Sequence, residues 1–473
     1  MDKLFGREQE KQRLDDLLHS GKAEFIAIYG RRRVGKTFLI KQYLKQQIKF
    51  YVSGVLDEDK YMQFQAFRDA LESHGAQVPK SNSWMEMFKS LRKYLTASAG
   101  NGKPCVVFID EMPCMDTPRS GFIAALDHFW NTWASDFDNI KLIVCGSATS
   151  WMINKLIDSH GGLHNRVTAT LHLHPFTLLQ TEDFLKSRKI RWNRSMITQS
   201  YMIFGGIPFY LSLITPKESL PQAIDRLYFD QDAALSNEYN RLMASLFRSP
   251  KPYNKIIEVL STNRMGVSRE QIANATGMKT GGNLTKLLTE LEHCDFIRSY
   301  YTREKKVKLN DKMYQLTDMF TLFHLHFATK CSTDKMFWQH HQDQPMLNTW
   351  CGLAFEKVVL LHIEQVKKAL GIDRIGVNYY AWRSKTSEPA AQIDLILDRA
   401  DNLVNICEMK FARDEYVMTD EDEFRMRRRT STFLRETRSR QGARPTMITP
   451  YGLMQNTHSS EITDQITLDG LFC

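Results

Sequence analysis

The stretch that decides the fold is Gly30-Arg31-Arg32-Arg33-Val34-Gly35-Lys36-Thr37, which has the pattern G-x-x-x-x-G-K-[ST]. Before it, residues 24–29 form an apolar run that is typical of a buried parallel strand. After it, residues 38–44 have helical spacing. A strand, a glycine-rich loop and a helix in this order predict a phosphate-binding loop. A chance glycine turn is the alternative, and the flanking elements argue against it.

Each part of this loop has a chemical task. Gly30 and Gly35 let backbone N–H groups close around phosphate oxygens, and the start of the helix adds partial positive charge. Lys36 is expected to reach the β- and γ-phosphates, and Thr37 offers its hydroxyl to Mg²⁺. The residues predicted to line the phosphates are Gly30, Arg31, Arg32, Arg33, Val34, Gly35, Lys36, Thr37 and Phe38.

A second apolar run, residues 105–109, ends in Asp110-Glu111. In nucleotide hydrolases the first acid of such a pair holds Mg²⁺ and the next can polarise the attacking water. We therefore predict a metal role for Asp110 and a general-base role for Glu111. Many strands end in exposed acids, so this pair alone is weak evidence for a nucleotide site. The phosphate loop earlier in the chain is what supports the assignment.

Two further polar residues are candidates for contact with the γ-phosphate. Ser147 follows the predicted strand 141–146, where its hydroxyl would sense the γ-phosphate, or alternatively cap the next helix. Arg166 follows a glycine pair and would complete the γ-phosphate site within its own subunit or in a neighbouring one, unless it is a surface arginine. His172 and His174 alternate like metal ligands, but without an evident third ligand a half-exposed strand is the better interpretation.

The N-terminal segment and the helices after the sheet would complete the first domain. Gly6 permits a tight turn and Arg7 is expected to meet the nucleotide or an adjacent element. Residues 177–245 have helical patterns and would form a lid, interrupted by a turn at residues 205–211.

The bulk composition is that of a globular chain with several domains. The 473 residues predict two or three domains, and the 42% hydrophobic content supports proper cores. The net charge of +9 suggests a polyanionic partner, most simply nucleic acid, of which we expect DNA, although a merely basic protein is the alternative. The eight cysteines form no C-x-x-C pair, and no apolar run reaches membrane-spanning length. We expect a cytoplasmic protein without a membrane partner, with its oligomeric state open.

A family resemblance is carried by residues 5–10, the phosphate loop, residues 109–111, residues 145–147, Arg166 and a Gly-x-Pro turn at Gly206-Ile207-Pro208. Together they resemble the prokaryotic "archaeal-type" ATPase family, in the STAND-like branch of AAA+ related P-loop ATPases. The resemblance implies ATP rather than GTP as the nucleotide. It also implies that Pro208 lies against the base or ribose. It extends over essentially the whole chain.

Residues 246–316 are expected to form a winged helix-turn-helix. Three helical patterns precede two strand candidates, residues 296–301 and 306–309. Such a domain either binds DNA or packs against other parts of an ATPase. The side chains expected to face a groove are Lys279, Thr280, Asn283 and Lys286, and those expected to meet phosphates are Arg298, Arg303, Lys305 and Lys306.

Residues 330–473 carry a second constellation. A helix is expected from 350 to 370, followed by strands at 377–382, 392–397 and 403–410. Antiparallel pairing of the last two strands would bring Asp394 beside Glu408, and Lys410 shares a face with Glu408. Two carboxylates suit Mg²⁺ or Mn²⁺, and the lysine would orient water or steady the phosphate. The arginine-rich stretch 425–440 is either a solvated face or a phosphate track.

This arrangement resembles the PD-(D/E)xK nuclease core, and the resemblance adds Glu356 as a further acidic metal ligand. The predicted fold class is therefore α/β, with a P-loop core of parallel sheet covered by helices, a helical lid, a winged helix and a C-terminal α/β domain. The predicted domains are 1–245, 246–316 and 330–473. Two hypotheses follow: an ATPase that couples ATP to DNA binding or metal-dependent DNA cleavage, or a nucleotide-switched regulator without nuclease activity.

Overall fold

The structure is a computed structural model that describes residues 4–80, 82–98, 102–157, 165–263, 265–301, 312–328, 334–384 and 391–473. Its contacts divide the chain into two compact units. The first comprises Met1–Pro175 and Leu242–Arg248, and the second comprises Phe176–Arg241 and Ser249–Cys473. This division assigns most of the predicted lid helices to the second unit, together with the C-terminal half of the chain.

The first unit is built on a parallel five-stranded sheet in the order β2-β3-β4-β1-β5. The strands are β1 Glu24–Tyr29, β2 Ile48–Ser53, β3 Cys105–Asp110, β4 Ile140–Gly146 and β5 Ala169–His172. The three central strands are almost wholly buried, as expected of a parallel sheet covered on both faces. Because all strands run the same way, their carboxyl ends share one edge. The predicted α/β core is confirmed.

Helices cover this sheet and carry much of its hydrophobic core. They are α1 Glu8–Leu18, α2 Lys36–Tyr43, α3 Lys60–Ser73, α4 Trp84–Ser98, α5 Met112–Met115, α6 Phe122–Thr132 and α7 Thr149–Trp151, with a 3-10 turn at Ala134–Asp136 and a π-helical turn at Met152–Ile157. Phe64 and Phe67 of α3 pack against Trp84 of α4, which in turn packs against Phe122 of α6. This packing holds the strands whose ends carry the polar residues.

The second unit begins with the predicted helices. These are α8 Leu178–Ser187, α9 Arg194–Phe204, α10 Pro208–Ser212, α11 Leu220–Ile224 and α12 Glu238–Leu246, with a π-helical turn at Asp225–Phe229. The boundary between the units falls within α12. The turn predicted at residues 205–211 is present, because Gly205 ends α9 in a left-handed conformation and Pro208 starts α10.

Three helices and a small sheet follow in the second unit. They are α13 Lys251–Ser261, β6 Val267–Ser268, α14 Arg269–Thr276, α15 Gly282–His293, β7 Ile297–Tyr301 and β8 Lys312–Leu316, with the sheet order β6-β8-β7. Ser268 caps α14 through a reciprocal bond with Gln271. The strand predicted at 306–309 and the residues Arg303, Lys305 and Lys306 lie outside the described residues. Among the described residues, β7 pairs with Lys312–Leu316.

The C-terminal part holds a mixed sheet in the order β13-β12-β11-β10-β9. Its strands are β9 Val377–Arg383, β10 Gln392–Arg399, β11 Leu403–Met409, β12 Gly442–Ile448 and β13 Asp464–Ile466. The helices are α16 Met319–Phe323, α17 Phe337–His341, α18 Pro345–Leu361, α19 Ile363–Ala369, α20 Asp420–Thr437 and α21 Leu468–Leu471, with a π-helical turn at His324–Ala328 and a 3-10 turn at His458–Glu461.

The single helix predicted for residues 350–370 is wrong, since the structure divides it between α18 and α19 at His362. The His362 ring accounts for the break. One ring nitrogen bonds to the Val358 carbonyl at 2.8 Å, and the other accepts the backbone N–H of Leu178 at 2.9 Å. The helix therefore stops where a buried side chain satisfies an amide at the start of α8.

None of the helices in the part of the chain that the structure describes combines the length and the apolar character needed to cross a bilayer.

Candidate nucleotide and metal sites

The phosphate loop joins β1 to α2, and its lysine is folded back onto the loop. Lys36 is only 5% exposed, and its Nζ donates to the carbonyl of Gly30 at 2.9 Å and to that of Arg31 at 3.1 Å. The same ammonium donates to Oγ of Ser147 at 3.2 Å. The lysine thus links the loop to the end of β4 while it remains close to the backbone amides that would bind phosphate.

Gly30 occupies a position that no other residue fits. Its φ is 142°, and a Cβ added there would lie 2.3 Å from the carbonyl oxygen of Leu173. The loop leaves β1 in close contact with the chain that follows β5, where Leu173 N bonds to Tyr29 O. Glycine is therefore required both by the backbone conformation and by this approach.

Asp110 stands at the end of β3, where three donors surround it. One oxygen accepts the Cys145 thiol at 2.6 Å and the backbone N–H of Glu111 at 3.0 Å, and the Thr37 hydroxyl also bonds to this side chain. Asp110 is 3% exposed, and burial raises the pKa of its carboxyl, although the bonds from Cys145 and Thr37 act in the opposite direction. The structure therefore brings together the two residues predicted to meet Mg²⁺.

Glu111 is held by the serine at the end of β4. Its two carboxylate oxygens accept the hydroxyl of Ser147 at 2.7 Å and the backbone N–H of Ser147 at 3.0 Å. Because the Ser147 hydroxyl also receives Lys36, the three side chains form a continuous chain. The alternative role of Ser147 as a helix cap is wrong, since Ala148 is the residue that precedes α7.

The N-terminal arginine contacts the loop itself. Arg7 is buried, with its guanidinium donating to the Val34 carbonyl at 3.1 Å and to Glu10 at 3.1 Å. The preceding Gly6 has a φ of 66°, which permits the turn that aims Arg7 inward. Of the two expectations for Arg7, the structure shows contact with an adjacent element.

The remaining predicted nucleotide residues differ in exposure. Arg31 is fully buried, Arg32 and Arg33 are half-buried, and Phe38 is 39% exposed on the first turn of α2. Arg166 is exposed in a turn directly before β5. Pro208 belongs to the second unit, where it begins α10.

A glycine that the sequence analysis missed also shapes this edge. Gly54 directly follows β2, and a Cβ added to it would lie 2.5 Å from the carbonyl oxygen of Glu111. Its N–H donates to the carbonyl of Asp110 at 2.9 Å. The β-like pattern of residues 48–53 followed by glycine was the available signal.

In the second unit, the predicted hairpin places Asp394 and Glu408 on adjacent strands. The antiparallel ladder pairs Asp398 with Val404 and Leu395 with Cys407, so Asp394 and Glu408 occupy the next pair of positions along it. Both side chains are half-buried. Glu408 bonds to Lys410 at 3.0 Å and to Arg429 of α20. The sequence analysis placed Arg429 only in the basic stretch.

Asp394 has neighbours of its own. Gln392 donates its amide to the Asp394 carboxylate at 2.8 Å. Burial raises the pKa of Tyr300 on β7, and the nearby charge of Asp394 adds to that rise. Glu356 is 5% exposed on α18, a helix that packs against β11. Among the described residues, the three carboxylates Glu356, Asp394 and Glu408 do not form a set with ligand atoms all within 4.8 Å.

Comparison with known proteins supports the N-terminal half of this description. Residues 4–214 match a family described as an ATPase domain predominantly from Archaea. An uncharacterized protein of Methanocaldococcus jannaschii is 27% identical over 371 residues, which are 76% of this chain and 77% of that protein. An uncharacterized ATP-binding protein of the same organism is 46% identical over 41 residues, which are 9% of this chain and 70% of the other.

One solved structure shares the fold over much of the chain. It is a Walker-type ATPase of Pyrococcus abyssi, similar with a TM-score of 0.52 at 17% identity, over 68% of this chain and 96% of that one. At this identity the similarity establishes the fold alone.

Proposed function

We propose that the chain hydrolyses ATP and couples this to metal-dependent cleavage of DNA, on the premise that residues 4–214 match the family described as an ATPase domain predominantly from Archaea. The first unit would bind and hydrolyse the nucleotide, and the C-terminal sheet would act on the phosphodiester. The two parts of the proposal rest on different residues, so each has its own test.

The observation that carries the ATPase part is the chain of bonds from Lys36 through Ser147 to Glu111. In the proposed reaction, Lys36 neutralises the β- and γ-phosphates, while Thr37 and Asp110 hold the Mg²⁺ that accompanies ATP. Glu111 accepts a proton from the attacking water. Ser147 would report the state of the γ-phosphate, because the ammonium that it receives is the group that binds phosphate.

Replacement of the loop lysine tests this part. We expect Lys36→Ala to abolish ATP binding in calorimetry and turnover in a phosphate-release assay, since the loop loses the ammonium expected to reach the β- and γ-phosphates. Lys45→Ala is the matched control, because Lys45 is exposed just beyond α2. Unchanged ATP turnover in Lys36→Ala would remove the premise of the proposal.

The C-terminal part is supported by the side-by-side placement of Asp394 and Glu408, with Lys410 bonded to Glu408. Carboxylate oxygens are the ligands that Mg²⁺ and Mn²⁺ prefer, so this donor set fits a divalent cation. A bound cation would polarise the phosphodiester and lower the pKa of a water. Asp394 and Glu408 would hold the cation, and Lys410 would orient the water or stabilise charge on the phosphate.

A cleavage assay tests this second part. With Mg²⁺ or Mn²⁺ and ATP, we expect the parent protein to cut DNA and Lys410→Ala to cut it not at all. Lys368→Ala, an exposed lysine on α19, serves as the control. If no DNA of varied form is cut, or if Lys410→Ala cuts as well as the parent, the nuclease proposal fails while the ATPase part stands.

The segment from α13 to β8 is the proposed DNA-binding element. Its helix–strand–helix–helix–hairpin order is that of a winged helix, and Lys279, Thr280, Asn283 and Lys286 are all exposed at or near the start of α15. In helix-turn-helix proteins the start of this helix enters the major groove. Arg298 supports the proposal less, because it is half-buried and donates to Gln315 at 2.9 Å.

Charge reversal on α15 tests this element. We expect the double variant Lys279→Glu, Lys286→Glu to lose at least tenfold in DNA affinity and to show a shallower salt dependence, since two positive charges near the DNA would become negative. The double variant Lys45→Glu, Lys368→Glu, at two exposed lysines outside this segment, controls for the same change in net charge. An unchanged affinity would place the DNA contact elsewhere.

A second candidate function is a nucleotide-switched regulator whose C-terminal sheet binds but does not cut. The observation that favours it is the occupation of Glu408 by two cationic side chains. Under this alternative, DNA affinity would depend on whether ATP or ADP is bound, and no cleavage would occur with any divalent cation.

A further inference from the structure

The carboxylate of Glu408 is engaged from two sides. Its Oε1 lies 3.0 Å from Nζ of Lys410, the residue directly after β11, and its Oε2 accepts a hydrogen bond from the guanidinium of Arg429 on α20. Glu408 and Arg429 are 17% and 22% exposed, so the pair is largely shielded from water. One carboxylate oxygen thus accepts a charge-assisted hydrogen bond from Arg429, which is stronger than a neutral one, and the other forms an ion pair with Lys410.

Arg429 differs from the other arginines of its helix in where its partner lies. Arg425 pairs with Glu421 and Asp422, one turn earlier on α20. Arg427 likewise pairs with Glu423 and also with Glu461. For Arg429 the positions three and four residues earlier hold Met426 and Arg425, which offer no negative charge. Its acidic partner is therefore on the sheet, at the proposed catalytic site.

A carboxylate in this position has two competing uses. To ligate a divalent cation, Glu408 must offer an oxygen that Arg429 or Lys410 now occupies. Lys410 lies two residues after Glu408, directly beyond the end of β11, whereas Arg429 reaches across from a helix on a long side chain. A guanidinium released beside a cation would find a phosphodiester as its natural bidentate partner.

We propose that Arg429 is a phosphate-binding residue of the C-terminal site, held on Glu408 until a divalent cation takes that carboxylate. This rests on the proposed function, because it assumes that the cation and the phosphodiester bind at Asp394 and Glu408. In the cation-free protein Arg429 keeps the site closed, and in the loaded protein it orients the phosphodiester. Arg429 would therefore oppose cation binding and favour phosphate binding.

Cation binding gives the first test, and it does not depend on cleavage. In calorimetry with Mn²⁺ alone, we expect Arg429→Ala and Arg429→Gln to bind about tenfold more tightly than the parent protein, since a competing positive charge is gone. Arg427→Ala, on the same helix with partners elsewhere, should bind as the parent does. Equal Mn²⁺ affinity in the parent and both Arg429 variants, or no binding in any of them, overturns the proposal.

Phosphodiester binding gives the second test. With Ca²⁺ present, we expect Arg429→Gln to bind an oligonucleotide about tenfold more weakly than the parent and Arg429→Lys to recover part of the loss. Thermal denaturation of each variant shows whether the fold is kept. An unchanged affinity in a folded Arg429→Gln contradicts the phosphate role. If Mn²⁺ affinity rises as expected but no variant and no parent cuts DNA, the nuclease function fails and the competition at Glu408 stands.

Discussion

At the scale of single residues, Ser147 contacts both Lys36 of the phosphate loop and Glu111, the residue after β3. Its hydroxyl receives Lys36 and donates to Glu111, and its backbone N–H bonds to the same carboxylate. Under the proposed function, these contacts would transmit the loss of a γ-phosphate from Lys36 to Glu111. The hydroxyl, rather than the backbone, carries that link.

We expect Ser147→Ala to lower ATP turnover by roughly tenfold to a hundredfold, because a hydrogen bond to a charged group contributes about 1.5–3 kcal/mol. ATP affinity should change less, since the loop amides and Lys36 remain. Ser150→Ala, in the short helix that follows, is the control. Steady-state kinetics and calorimetry check the result, and a turnover equal to that of the parent would show that Ser147 is only a bystander.

Gly30 gives a prediction about stability. In Gly30→Ala the new Cβ would meet the Leu173 carbonyl at 2.3 Å in addition to the strained φ, so we expect a loss of about 3 kcal/mol in the free energy of unfolding. Gly21→Ala is the control, because Gly21 also has a positive φ of 69° but has no atom near its added Cβ. Urea denaturation compares the two, and equal losses would mean that the close approach contributes nothing.

At the scale of elements, the buried residue His362 lies at the break between α18 and α19. Burial lowers the pKa of His362 to about 4, and His324 in the same unit has a pKa lowered to about 4 for the same reason. Both rings are therefore neutral in the folded protein over most of the range in which the unfolded chain binds protons. The free energy of unfolding should therefore depend on pH in the acidic range.

Stability should fall as the pH drops below about 6.5, because the unfolded chain then takes up protons that the folded protein refuses. The loss continues until the folded pKa near 4 is passed. Between pH 7 and pH 5 we expect each histidine to contribute about 2 kcal/mol of this loss. His362→Gln should show a shallower pH dependence in urea denaturation than the parent. A slope equal to the parent's would contradict the buried, neutral state of His362.

Helix α20 is rich in arginine, but acids on the same helix pair with some of these side chains. Its first turn is acidic and capped by Thr419, which suits the positive end of a helix dipole. Two of its arginines are neutralised by acids on the helix itself, so the basic stretch is less of a uniform phosphate track than its sequence indicates. Arg429 is distinguished from these two arginines by its partner, because it pairs with Glu408 of the sheet.

At the scale of the whole molecule, the proposed function requires DNA cleavage at the C-terminal sheet to depend on ATP hydrolysis in the first unit. We expect Lys36→Ala to reduce DNA cleavage to the level seen without ATP, while Lys410→Ala leaves ATP hydrolysis unchanged. Parallel cleavage and phosphate-release assays on the two variants measure this asymmetry. Cleavage by Lys36→Ala at the full rate with ATP would show that DNA cleavage does not depend on the nucleotide site.

The sequence alone was enough to predict the elements whose signals are local. The buried strands β1, β3 and β4 contain apolar runs at 25–29, 105–109 and 142–145. The loop of residues 30–37 is marked by its glycines and by Lys36-Thr37. The register of β10 against β11 was also predictable, because a short turn leaves little choice of pairing. What these have in common is that the residues concerned are near one another in the chain.

Tertiary structure alone decided the contacts between residues that are distant in sequence. The bond of Leu178 to His362 spans 184 residues, that of Ser147 to Glu111 spans 36, and that of Arg429 to Glu408 spans 21. No periodicity encodes such pairs, because they depend on how helices pack against sheets and where each side chain then points. The break at His362 and the distinct position of Arg429 therefore required the folded chain.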